Sequence, residues 1–164
     1  MTLYHLNVTL HVLAAILWLG GMFFLSLVGA PVLRGLEPES LRADVFRRIG
    51  ARSRTVGWGA IAGLLATGVA NLRFHGLLHG AVLRDPAFWS GRYGSALAWK
   101  LAAVAVMLVV QALHDFVLGP RASRLEPGSP EAIRSRRAAT WLGRVNGIVG
   151  VLLVLAAVRL ARGG

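Results

Sequence analysis

The side chains with the most chemistry to offer sit in or beside long apolar runs. His11 opens one of them, His11 to Pro31 (HVLAAILWLGGMFFLSLVGAP), which carries no other ionisable residue. Burying an ionisable group in a run of membrane length is costly and marks a candidate functional site. Neutral imidazole is also the commonest nitrogen ligand for metals. His75 and His79 close a second run, and with Asn71 they repeat at spacing four, which places all three on one face if the helix continues that far. Lys100, Met107, Gln111 and His114 follow one another at steps of seven, four and three in a third run, which returns them to one helical stripe. Arg144 lies inside a fourth run, where it needs an anion or water. Of the 18 Lys and Arg residues only Lys100 is lysine, a choice that asks for a reason.

These residues are positioned by four apolar segments. A spanning helix needs about 20 residues, and the runs predict helices over about 4–33, 55–79, 95–118 and 138–160. The expected fold is therefore all-α: an integral-membrane, up-and-down four-helix bundle forming a single domain over 1–164. The first run lacks a basic leader region and a small-residue cleavage site, so it is expected to be retained rather than removed as a signal peptide. Gly20 and Gly21 after Trp18, and the pairs Gly59/Gly63 and Gly143/Gly147, allow close helix approach. Glu39 to Arg54 mixes arginines with Leu41, Val45, Phe46 and Ile49, which fits an amphipathic surface helix or a solvated extension of the next span. Gly80 to Gly94, with Phe88, Trp89 and Tyr93, reads as an external loop at headgroup level. The stretch Arg121 to Arg137, containing Pro127, Gly128 and Pro130, is expected to start irregularly. No internal repeat stands out.

The net charge of +11 does not indicate nucleic-acid binding, because the basic residues flank the spans and no nucleic-acid motif accompanies them. Arg34, Arg42, Arg47, Arg48, Arg52 and Arg54 lie between the first two runs; Arg121, Arg124, Arg134, Arg136 and Arg137 lie between the last two. The remaining connection and the C-terminus hold only Arg73, Arg84, Arg92, Arg159 and Arg162. The positive-inside rule then puts both termini on the non-cytoplasmic side of a bacterial-type inner membrane. With no cysteine, there is neither a disulfide nor a thiolate metal ligand.

Counting from the expected cytoplasmic ends at 1.5 Å per residue sorts the polar side chains by depth. His11, His75 and Lys100 fall at roughly 33, 30 and 27 Å, an outer layer. His114 and Arg144 fall at roughly 6 and 9 Å, an inner layer. The outer layer suggests a metal or haem site: His11 and His75 as axial ligands, or copper with His79 as a third ligand. Lys100 either snorkels outward or faces a propionate or substrate carboxylate. In the inner layer, His114 with Asp115 reads as a ligand and counter-charge, a proton step, or simply a polar helix end; Asp115 or a propionate would balance Arg144. His5, ahead of the first run, is expected in solvent.

The chain resembles the copper-resistance protein D (CopD) family through LHVLAAILWLGGMFF followed by APVLR, RSRTVGWGAIAGLLATGVANL with its Thr67-Gly68 step, and YGSALAWKLAAVAVMLVVQALHDFVLGPR. That resemblance implies a four-helix membrane domain for copper uptake or tolerance. The chain is also similar to HemJ-type protoporphyrinogen oxidases, which have a first-helix His seven residues before a Trp and a Lys near the start of the third helix. His11, Trp18 and Lys100 match, while the His after the Lys comes at His114, with Gln111 in the closer position. The expectation is a CopD-like protein holding a redox metal centre in its outer half for copper handling. The alternative is a b-type haem protein for electron transfer or porphyrinogen oxidation, with His11, His75, Lys100, His114 and Arg144 around the cofactor. A third reading is an accessory subunit. The partners these readings imply are the lipid bilayer, a periplasmic copper protein or a quinone, and further copies or a larger membrane complex.

Overall fold

In the computed structural model the described residues, 2–125 and 129–162, fold into helices and their connections, with no strand among them. Four helices are each long and apolar enough to cross a membrane. Large apolar side chains on them face outward, including Leu13, Ile16, Leu27, Trp99 and Leu155 at 55–77% exposure. Water makes such faces costly and hydrocarbon does not, so this is the build of a multi-pass membrane protein.

The chain divides into two compact units, Met1–Leu83 and Arg84–Gly164. Each contains a pair of long helices. In the first unit, α1 runs as Leu3–Phe24, a π-helical segment Leu25–Gly29, and a last turn Ala30–Arg34. Thr2 caps its start, its hydroxyl accepting from the His5 amide. α2 covers Glu39–Phe74 without a break. The stretch Glu39 to Arg54 is thus the extension of the second span, laced by local ion pairs: Arg42 with Glu39 at 3.1 Å, Arg48 with Asp44 at 2.7 Å, and Arg47 with Asp44.

α2 ends at Phe74, five residues short of His79. Gly76 takes φ +69°; the Leu77 amide donates to the Leu72 carbonyl at 2.9 Å and the Gly76 amide to Arg73 at 3.0 Å. Those two bonds make a Schellman stop, which needs a residue that tolerates the left-handed conformation. The face on which Asn71, His75 and His79 were expected to line up therefore does not form.

Two one-turn helices, α3 (Gly80–Arg84) and α4 (Pro86–Ser90), occupy the predicted headgroup loop. Asp85 caps α4, accepting from the Ala87 amide at 2.9 Å, and Pro86 opens it. Gly94 is buried directly against this turn: a Cβ there would lie 2.0 Å from the Phe88 carbonyl oxygen.

In the second unit, α5 runs as Arg92–Ala112, a π-helical segment Leu113–Leu118, and a last turn Gly119–Arg124. α6 covers Pro130–Ala161. The start of the Arg121–Arg137 stretch, expected to be irregular, is instead helical through Arg124, while Pro127 and Gly128 lie outside the described residues. Both π segments immediately precede a proline turn. The Ala30 amide reaches back five residues to Leu25, the Gly119 amide five to His114, and Pro31 and Pro120 follow. A proline lacks the amide for the ordinary bond and crowds the carbonyl four residues earlier. Widening the turn before it absorbs both effects.

Candidate functional site

In the first unit, α1 and α2 lie antiparallel, and their register is fixed by polar contacts. Asn7 Nδ2 donates to the Thr67 carbonyl at 3.0 Å and to Asn71 Oδ1 at 2.9 Å. His11 Nδ1 and Thr67 Oγ1 are 2.7 Å apart. Tyr4 meets Phe74 and His75 edge-on, with centroids 5.6 and 5.8 Å away. Next along the seam, a Cβ at Gly63 would contact the Ala14 methyl at 3.7 Å, and one at Gly68 would meet His11 Cε1 at 3.6 Å. Positions 4, 7, 11 and 14 on α1 thus face 74–75, 71, 67 and 63 on α2, the alternating three- and four-residue spacing of a helix–helix seam. Further along the two helices Trp18 and Ala60 are both buried. Of the Gly59/Gly63 pair only Gly63 meets the neighbouring helix, Gly59 being exposed.

The hydrogen bonds around Thr67 decide the chemistry of His11. A threonine hydroxyl has one proton to give. Thr67 Oγ1 lies 2.6 Å from the Gly63 carbonyl one turn back, an oxygen that can only accept. Its proton is committed there, so Thr67 oxygen accepts and His11 Nδ1 carries the proton it receives. In the neutral ring the lone pair then resides on Nε2. This is the arrangement by which ligand or base histidines are held in one tautomer: one nitrogen donating to a fixed acceptor, the other basic.

His75 is at the same expected depth as His11 but not at the same place. Its ring contacts Tyr4, seven residues before His11 on α1, about 10 Å along the axis at 1.5 Å per residue. Depth counted from Thr55 leaves the register of the two helices free, and the Asn7–Asn71 and His11–Thr67 bonds set it. His75 is the exposed cap of α2, and His79, also exposed, directs Nδ1 at the Gly76 carbonyl, 2.8 Å away, within its own turn. Among the described residues no three His, Cys, Asp or Glu side chains converge as a metal site would require. His5 is exposed beside Thr2, as expected.

The second unit carries a different polar group. Gln111 Nε2 donates to Asp115 Oδ2 at 2.7 Å, and Asn146 Nδ2 on α6 donates to Gln111 Oε1 at 2.6 Å. His114 Nδ1 lies 2.9 Å from Asp115 Oδ1. Asp115 and Asn146 are buried, at 7% and 3% exposure. The carboxylate can only accept when ionised, so it orients the Gln111 amide, and that in turn orients Asn146. Of the predicted stripe, Met107 is buried, Lys100 and His114 are half-buried, and Gln111 meets Asp115 one turn on. Arg144 is exposed on α6.

Asn7, Thr67 as a hydrogen-bonding group, and Asn146 were not singled out from the sequence. Their signal was present: Asn7/His11 and Thr67/Asn71 are both spaced by four, and Asn146 is an amide inside an apolar span.

A family model described as "Domain of unknown function (DUF4149)" matches residues 13–129. The chain belongs to this family. A relative from Aquifex aeolicus (strain VF5), described as "Uncharacterized protein", is 32% identical over 155 residues, covering 94% of this chain and 92% of the relative. No solved structure matches. The family match contains Thr67, Asn71, Lys100, Gln111, His114 and Asp115, whereas Asn7, His11 and Asn146 lie outside it.

Proposed function

We propose that this DUF4149 protein is a haem-binding membrane protein of a bacterial inner membrane, with His11 as an axial ligand and electron transfer as its task. The observation that carries the reading is the Thr67-anchored tautomer of His11, which leaves the basic lone pair on Nε2. A bare copper ion needs several donors at one point, and soft ligands when it is copper(I). Here the contacts of His11 and His75 are two turns apart and the chain has no cysteine. A haem brings four nitrogens of its own and asks the protein for one or two axial donors, so an imidazole oriented by a hydrogen bond suits it better. When bound, haem supplies a one-electron couple. The chain's part is to orient His11 through Thr67, and to tie that helix pair together through Asn7 and Asn71. A quinone is the proposed electron partner, the one that the haem reading of the sequence implies.

The proposal also orients the chain, with the arginine-rich connections between α1 and α2 and between α5 and α6 on the cytoplasmic side and both termini outside. Because the chain lacks cysteine, single introduced cysteines test this cleanly. An impermeant maleimide applied to intact spheroplasts should label Asp85→Cys and spare Ser40→Cys; the reverse labelling inverts the topology.

Purification from cells supplied with copper and a haem precursor tests the cofactor. The expected result is a Soret band with split α/β bands on reduction. A colourless protein carrying stoichiometric copper would instead support copper handling of the CopD kind, and neither cofactor would leave the histidine as helix-packing glue.

A further inference from the structure

The end of the second hairpin nearest its connection carries a depression of about 450 Å³. Arg121, Arg124 and Leu125 reach it from the last turn of α5 and beyond, Leu118 from the π segment, and Arg134 and Ser135 from the first turns of α6. Glu131 is the one acidic side chain in its lining, so three guanidiniums face one carboxylate. The first turn of α6 adds the positive end of a 32-residue helix. Ser135 Oγ is buried and has no hydrogen-bond partner among the described residues. A helical serine usually donates back to a carbonyl in the preceding turn, so here a hydroxyl proton is left for something that fills the depression. Leu118 and Leu125 give the same space an apolar wall.

We propose that this depression binds the phosphate of an anionic phospholipid. Guanidiniums pair with phosphate oxygens through forked hydrogen bonds, Ser135 supplies one more donor, and the two leucines take the glycerol and upper acyl carbons. A free phosphate would leave that apolar wall unused. The location fits: the depression lies where a spanning helix leaves the apolar layer, at the level where lipid phosphates reside, and basic pockets at such ends attract anionic headgroups. This inference is independent of the haem reading.

Native mass spectrometry of the full chain, titrated with phosphatidylglycerol and with phosphatidylcholine, tests it. Wild type should retain phosphatidylglycerol preferentially, and Arg121→Gln/Arg134→Gln should lower that retention by about tenfold or more. The control Arg47→Gln/Arg48→Gln removes the same charge from exposed positions paired with Asp44, and should change retention less than about twofold. Ser135→Ala, which alters no charge, should lower it severalfold, with helicity by circular dichroism reporting that each variant is folded. Equal losses in the two double variants would reduce the effect to general surface charge and overturn the proposal. So would an absence of preference for phosphatidylglycerol, or displacement of the lipid by millimolar inorganic phosphate, which would make this a site for free anions.

Discussion

The two hairpins share a skeleton and place their polar side chains at opposite ends of it. In each, a long apolar helix widens into a π segment, turns at a proline, and leads through an arginine-bearing connection into a second long helix. His11 and Lys100 both stand twenty residues before that proline, roughly 30 Å along the axis. In the first hairpin the interhelical hydrogen bonds are made at this far end, by Asn7, His11, Thr67 and Asn71. In the second, Asn146 bonds across to Gln111 near the proline, and Gln111 is held in turn by Asp115 on its own helix, five residues before Pro120 and so roughly 7 Å away. The apolar frame fixes how the helices run, and a few polar substitutions on it decide where chemistry can occur.

The comparison can be broken most forcefully at its glycines. Gly94→Ala would drive a methyl into the Phe88 backbone, so it should destabilise the second hairpin by about 3 kcal/mol or more. Gly63→Ala and Gly68→Ala in the first hairpin meet side chains at ordinary contact distance and should shift stability by less than about 1 kcal/mol. Thermal unfolding in detergent reads all three. Similar losses at all three positions would mean that the first seam is as tight as the α4 turn.

Asp115→Ala should come next. It leaves the half-buried Gln111 amide and the His114 ring without their shared acceptor, a loss of about 2 kcal/mol. Asp115→Asn, which keeps an acceptor oxygen, should recover part of it. Thr67→Val preserves shape but removes the oxygen that takes the His11 proton. Its cost should be about 1 kcal/mol, with a larger effect on cofactor retention, and Thr67→Ser should restore both. The smallest effect is expected for the Asn7–Asn71 bond. A double-mutant cycle with leucine at each position should give a coupling near 0.6 kcal/mol, the magnitude found for hydrogen bonds between membrane helices.

Much of this was readable in the residue order. Length and apolarity locate the four long helices, and the arginine-rich segment before Thr55 joins α2 because nothing in it breaks a helix. Pro31 and Pro120 mark where α1 and α5 must change hydrogen bonding, though not that both would do so by widening into a π turn. The stop after Phe74 has its signal in Gly76, against which the equal spacing of Asn71, His75 and His79 points to a longer helix. What spacing could not supply was register. Depth counted along one helix says nothing of which turn faces which on its neighbour, and here two amides and a threonine set that alignment. Asn146 shows the same limit from the other side: an amide in an apolar span signals a partner, but its partner Gln111 lies 35 residues away in sequence.

If the histidine held by Thr67 carries a haem, the reduced-minus-oxidised visible spectrum of wild type beside His11→Ala shows it. Both should be prepared identically and matched for helicity and unfolding temperature. Wild type should show split α/β bands, His11→Ala none, and His11→Gly given free imidazole their partial return. Undiminished bands in a folded His11→Ala protein would contradict this assignment and move the axial ligand elsewhere in the chain.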